Sequence, residues 1–267
     1  MGSICSQFNI TRQAYHKRHK KVFERFLAET DLLERIRKIR SRQPRTGGRK
    51  LHEMLNTQNI RIGRDRLFDL LRENRLLIRP RKKYVRTTHS YHRFRKYPNK
   101  IKDLVVDRPN QVFVADITYL ETIEGSCYLA LVTDLFSRKI VGYDLSRSLA
   151  AEGAQRALKM ALTNVAEPDK LIHHSDRGIQ YCSYAYTDLL NDQDVQISMT
   201  EENHVYENAV AERVNGILKG EYMLDEKLRS FKIAKELVKE TITIYNNERL
   251  HMSLNYQTPE SQYRLAA

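Results

Sequence analysis

From residue 104 onward the sequence reads first as consecutive strands and then as strands alternating with helices. That order constrains the fold more than any other feature. Gln111-Val-Phe-Val-Ala-Asp116-Ile-Thr-Tyr-Leu120 is β-branched and aromatic, Tyr128–Thr133 is a second apolar run, and Lys139–Leu145 is a third. Gly125 suits the first turn, and Ser137-Arg138 forms the second. An Ala- and Leu-rich helix over 150–165 follows, then a short strand at Leu171–Ser175 and a helix at Tyr184–Leu190. A fifth strand at Val195–Met199 precedes helices at Asn208–Leu218 and Phe231–Asn247. Three strands in a meander, then helix, strand, helix, strand, helix, predict a five-stranded mixed sheet flanked by helices, an α/β domain. No internal repeat or low-complexity run interrupts it.

The preceding residues have a different character. Val22, Phe23, Phe26, Leu27, Leu32, Leu33, Ile36 and Ile39 recur at helical steps, predicting a helix over 12–40 that ends before Pro44, Gly47 and Gly48. Two short helical segments follow, marked by Leu51, Met54 and Leu55, and by Leu67, Leu70 and Leu71. Between them Asn59-Ile-Arg-Ile-Gly63 offers a turn in which Gly63 is free to take an unusual backbone angle. This is the proportion of a helix-turn-helix, with Arg64 and Arg66 opening the helix that would meet DNA. Short helix pairs are common, however, and their proportion alone fits a purely structural pair equally well. Residues 79–100 carry nine Lys and Arg, no acidic residue, and interleaved Tyr84, Tyr91, Phe94 and Tyr97, and they read as a basic connector. The organisation expected is therefore an N-terminal helical segment (1–45), a helix-turn-helix-like module (46–78), a basic linker (79–103) and a catalytic core with a C-terminal helix (104–265).

Charge follows the same division. Residues 1–100 hold 28 Lys and Arg against 8 Asp and Glu, a balance of +20; the remainder hold 18 against 25, a balance of −7, for +13 overall. A basic front joined to an acidic back suggests a polyanion-binding module attached to something else. Cys5, Cys127 and Cys182 are odd in number and far apart, so neither a disulfide framework nor a C-x-x-C zinc knuckle is expected, and His16 and His19 lack the cysteines a zinc domain would need. No apolar run reaches the length of a membrane span, and the N-terminus lacks the order of a signal peptide. A reducing, cytoplasmic location is expected.

Three carboxylates stand out. Asp116 lies inside an apolar strand, where a charge needs a partner or a metal. Asp176 follows a strand directly, at the carboxyl end where sites in α/β sheets gather. Glu212 lies on a helix whose Val210, Val214, Ile217 and Leu218 form one face and whose Asn208, Glu212, Asn215 and Lys219 form another. Phosphodiester chemistry with two Mg²⁺ ions needs few ligands beyond such oxygens. Asp134, Glu202 and Glu207 compete for the role on spacing alone, and a strand Asp satisfied by backbone donors is an equally open reading.

Motifs around these residues are more specific. Val114-Ala-Asp116-Ile-Thr-Tyr119, Asp134-Leu-Phe-Ser-Arg-Lys-Ile-Val-Gly142, His174-Ser-Asp176-Arg-Gly-Ile-Gln-Tyr181, Glu207-Asn-Ala-Val-Ala-Glu212-Arg-Val-Asn-Gly-Ile-Leu-Lys219 and Tyr245-Asn-Asn-Glu-Arg-Leu-His251-Met-Ser-Leu254 occur in that order. The sequence from about Gly47 to Tyr263 resembles the OrfB-type transposases of the bacterial insertion sequence 3 family. There the D-D-E triad has 35 residues between its second and third members, as Asp176 and Glu212 do here.

The resemblance implies a ribonuclease-H-like integrase core preceded by a small helix-turn-helix module. It implies Mg²⁺-dependent strand cleavage and joining (Mn²⁺ substituting), with two ions held by Asp116, Asp176 and Glu212. It further implies DNA partners (transposon ends and target), a homo-multimer, an upstream-frame protein or fusion, and a place on the bacterial nucleoid. With the basic segments, it gives Arg49, Lys50, Arg61, Arg64, Arg66, Arg81, Lys82, Lys83, Asn208, Asn215 and Lys219 as DNA-contacting residues. A non-catalytic DNA-binding regulator on an integrase fold and a ribonuclease-H-like nuclease remain the alternatives.

Overall fold

The structure is a computed structural model that describes residues 5, 7, 10–78, 93–201 and 208–265. The chain divides into two compact units, Met1–Arg79 and Pro80–Ala267, each with a core of its own.

The first unit is helical. Helix α1 (Arg12–Arg42) starts where the Thr11 hydroxyl accepts from Ala14 N, an N-cap bond that satisfies one of the orphaned amides of the first turn. Its later turns bury Leu32 and Ile36, while Val22, Phe23, Phe26 and Leu27 stand exposed further up. Helices α2 (Gly48–Thr57) and α3 (Arg64–Glu73) complete a core of Leu32, Ile36, Leu51, Leu55, Leu67, Leu70 and Leu71. Gly48 lies under the Phe68 ring, which would have to shift for a Cβ there, built 2.7 Å from it. The left-handed residue of the α2–α3 turn is Asn59 (φ 60°), whereas Gly63 is an ordinary extended N-cap (φ −63°). The expectation for Gly63 is thus corrected: Asn tolerates the left-handed region through local side-chain bonding, so the turn closes three residues after α2.

The second unit carries a five-stranded sheet in the order β3-β2-β1-β4-β5. Strands β1 (Val112–Thr122), β2 (Gly125–Asp134) and β3 (Ile140–Ser146) form the antiparallel meander, with Gly125 at φ +119° in the first turn and Arg138 at φ 65° in the second. Strands β4 (Ile172–Ser175) and β5 (Gln196–Met199) are parallel to β1, as their helical crossovers require. Helix α4 (Ala151–Leu162) packs so closely on β3 that a Cβ at Gly142 would fall 2.0 Å from Ala157 O. With α5 (Ile179–Cys182) and α6 (Tyr184–Asn191) it covers one sheet face around Phe113, Ala115 and Val132. Helices α7 (Ala209–Glu221) and α8 (Phe231–Glu248) cover the other around Leu120, Leu129 and Leu131. Helix α9 (Pro259–Leu265) and the one-turn α5 carry too few periodic positions to be read from sequence.

Both sheet edges are met by other parts of the chain. Beside β5, Met199 N donates to Pro98 O, and Lys100 N to Ser198 Oγ, so the end of the basic connector lies along that strand. Beside β3, the Asn246 side chain accepts from Ile140 N (3.0 Å) and donates to Ile140 O (2.9 Å). Among the described residues no helix is long and apolar enough to cross a membrane.

Candidate active site

The parallel pairing of β1 with β4 sets Ala115 opposite Ser175, so Asp116 and Asp176 follow on adjacent strands at the same end of the sheet. Asp116 Oδ2 accepts a 2.7 Å bond from Asn215 Nδ2, and Oδ1 accepts from Ile117 N. Burial and then the neighbouring Asp176 charge push the Asp116 carboxyl up to about 7. The bonds from Asn215 and Ile117 work against that rise, and Glu212 adds a smaller push. Asp176 Oδ1 accepts from Gly178 N at 3.0 Å, and a Cβ at Gly178 would lie 2.9 Å from that oxygen; glycine lets the turn wrap the carboxylate.

Glu212 is the fourth residue of α7, in the first turn, where the exposed amide end favours an anion. It is exposed. The two aspartates therefore stand together with Glu212 near enough to act on Asp116 electrostatically. Among the described residues no three His, Cys, Asp or Glu side chains are drawn into an assembled ion cage.

The rest of the polar face of α7 turns out differently from its sequence reading. Asn208 and Asn215, expected to contact DNA, are 5% and 6% exposed. Asn208 Nδ2 donates to Ala115 O and Asn215 Nδ2 to Asp116, so both amides tie the helix to β1 rather than face a ligand. The physical reason is that β1 ends its apolar run in a carboxylate, whose oxygens need donors from the element above. Lys219 does lie near the site: Nζ sits 4.1 Å from the Tyr119 ring centre, burial lowers its pKa, and the Asp116 and Glu121 charges oppose that lowering.

Asp134, a competitor on spacing, is fully buried and spends its oxygens on Ser137 N, Ser137 Oγ and Asn110 N, organising the β2–β3 turn. Of the cations of the first unit, Arg49, Arg61 and Arg64 are exposed. Lys50 is buried, and the Arg66 guanidinium is held by Glu29 of α1 (2.5 Å) and Glu73. Both are therefore occupied by their own unit rather than presented to a partner. Arg81, Lys82 and Lys83 lie outside the described residues, as do Glu202 and Glu207.

Comparison with known proteins agrees with this fold. Two family models, each described as an integrase core domain, match residues 106–204 and 193–259. The chain is 34% identical to an uncharacterized 31 kDa protein of insertion element IS600 of Shigella sonnei, over 99% of this chain and 100% of that one. It is 32% identical to the transposase of IS629 of the same organism, covering 97% of this chain and 90% of the relative. It is 34% identical to transposase InsF of IS3A of Escherichia coli K12, covering 83% and 77%. Among solved structures, a simian T-cell lymphotropic virus intasome in complex with a phosphatase regulatory subunit matches with a TM-score of 0.50 at 17% identity. That match spans 85% of this chain and 73% of that one, and shares the fold.

A mixed sheet of this topology with an integrase core match defines an enzyme of the polynucleotidyl transferase and endonuclease class. The chain belongs to the IS3 family of insertion-sequence transposases.

Proposed function

We propose that Asp116, Asp176 and Glu212 are the catalytic carboxylates and that they hold two Mg²⁺ ions, with Mn²⁺ able to substitute. The observation that carries this reading is the condition of Asp116: half-buried in a strand, beside a second aspartate, and pushed up to about 7. Such a carboxyl is stabilised in its charged form by a cation, and an all-oxygen donor set suits a hard one. Bound divalent ions supply the Lewis acidity that activates an attacking oxygen and stabilises the leaving oxygen of a phosphodiester.

The protein's own groups do the rest. Asn215 fixes one oxygen of Asp116 and Ile117 N the other, so the carboxylate is held in one orientation. Gly178 N holds one oxygen of Asp176 in the same way. Lys219, drawn by the Asp116 charge, is placed to neutralise a phosphate near the site. The attacking groups are first a water and then a DNA 3′-hydroxyl, aligned in line with the scissile bond. Arg49, Arg61, Arg64 and the basic stretch 79–100 hold the transposon ends electrostatically. In this reading residues 1–45, 46–78, 79–103 and 104–265 serve as helical arm, DNA-binding module, linker and catalytic core. The working form is a multimer of this chain that brings two ends to a target on the nucleoid, with an upstream-frame product or fusion as partner.

The test is made in cells carrying the element with its upstream frame, by amplifying across abutted transposon ends. Wild type is expected to give the circular junction and Asp116→Asn none. A junction of equal yield from both removes Asp116 from the mechanism.

A further inference from the structure

The fifth motif, Tyr245–Leu254, has no part in the chemistry above, yet it holds the most deeply buried Arg–carboxylate pair described. Arg249, 4% exposed, follows the last turn of α8. Its Nε and Nη2 fork onto both oxygens of Glu221, at 2.9 and 2.8 Å. Glu221 is the final residue of α7, the helix that bears Glu212. Two preceding residues anchor the fork's base to the sheet. Asn246 bonds both backbone groups of Ile140 at the start of β3, and the Tyr245 hydroxyl donates to Arg138 O. A continuous set of directional bonds thus runs from the sheet edge through α8 to the far end of α7.

We propose that Arg249 is a positioning residue for Glu212, acting through Glu221 and the axis of α7; this rests on the triad reading above. Glu221 lies nine residues beyond Glu212, so the two are about 13 Å apart along the helix and on opposite sides of it. Glu212 sits between Asn208 and Asn215, whose amides hold α7 to β1 from one side of the helix, so the motion left open to Glu212 is a roll of α7 about the line through those two amides. The apolar face of α7, Val214, Ile217 and Leu218, packs without directional bonds and so holds that roll less sharply than a two-point hydrogen-bonded fork does. The bidentate fork at Glu221, on the opposite side of the helix, holds that roll in both distance and plane. The motif's conspicuous residues thus brace the helix that bears the third carboxylate.

The experiment uses the full-length chain as Arg249→Met, Arg249→Lys and Glu212→Gln beside wild type. Three quantities are read: the nicking rate of a supercoiled plasmid carrying the element's ends, the KM for that plasmid, and Mn²⁺ affinity by electron paramagnetic resonance without DNA. Arg249→Met is expected to lose about tenfold to a hundredfold in rate and about tenfold in Mn²⁺ affinity, with KM unchanged. Arg249→Lys, which keeps the charge but not the fork, falls between it and wild type. If Arg249→Met does not fold, Arg249→Lys decides by the same criteria. A folded Arg249 variant with wild-type rate and Mn²⁺ affinity, or with its whole defect in KM, overturns the brace while an inactive Glu212→Gln leaves the triad standing. A Glu212→Gln protein at wild-type rate overturns both.

Discussion

The two units of this chain treat their polar residues in opposite ways. In Met1–Arg79 the core is leucine and isoleucine, and charges pair at the surface, as in Arg25–Glu29 and Arg35–Asp31. In the second unit Asn208, Asn215, Asn246 and Arg249 are buried, and each spends its hydrogen bonds holding one element against another. The first unit is therefore a scaffold in which exposed cations such as Arg49, Arg61 and Arg64 stand outside the core, while Arg40 and Arg66 are tied into it. The second adds buried polar bonds to its apolar cores, and two of them, from Asn208 and Asn215, hold α7 on β1 at the carboxylate. Loss of a core residue should dismantle the first unit by itself, and the rise of the Asp116 carboxyl toward neutral pH should register in the second.

The largest effect expected is from Leu55→Ala, which empties a fully buried site in the small helical core and should cost about 2–5 kcal/mol. Calorimetry should resolve a transition for the first unit that moves down by many degrees while the second unit's transition stays. A single transition that shifts as a whole would break the comparison, because the two cores would then be one cooperative structure.

The next effect is one of pH. Asp116 titrates near 7 in the folded chain against an ordinary 3.8, so the folded state favours its neutral form. Its contribution to stability is complete below about pH 4 and is lost as pH rises through about 7. In metal-free protein the second unit's melting temperature should fall across that window, and the slope should flatten in Asp116→Asn. Adding Mg²⁺ at pH 8 should restore the lost degrees. A metal-free melting temperature independent of pH in the second unit would remove the burial and repulsion argument for Asp116.

The smallest effect expected is from Arg64→Ala. Its partner is the adjacent, exposed Asp65, so no change in melting is expected. Binding to duplex DNA should weaken across all sequences, with the dependence of log affinity on log salt less steep by about one. A large loss of stability instead would mean that this cation, like Arg66, belongs to the fold.

Much of this arrangement is legible in the chain. The strands announce themselves because β-branched and aromatic runs coincide with burial on both faces, as in Val112–Ala115. Asp116 is conspicuous because it interrupts such a run. The shared polar face of Asn208, Glu212, Asn215 and Lys219 is also correct, since helical periodicity fixes which residues lie together. Periodicity does not say which way a polar face looks. Here the strand beneath needs donors, so two amides point inward while Glu212 stays exposed. Asn59 in place of Gly63 shows the same limit on a smaller scale, because two residues in one turn can both accept positive φ and packing selects between them. The Arg249–Glu221 fork joins residues 28 apart on different helices and leaves no periodic trace, although its burial makes it plain once the helices are packed.

Asn246 has one more consequence. By engaging both the N–H and the C=O of Ile140, its amide imitates a neighbouring strand for the length of one residue. At that point the border of the sheet is closed to strand addition, the commonest route by which unguarded β-structure recruits further copies and grows into aggregates. The multimer proposed above would then form through helices, side chains or the nucleic acid itself instead of through a growing β-ribbon.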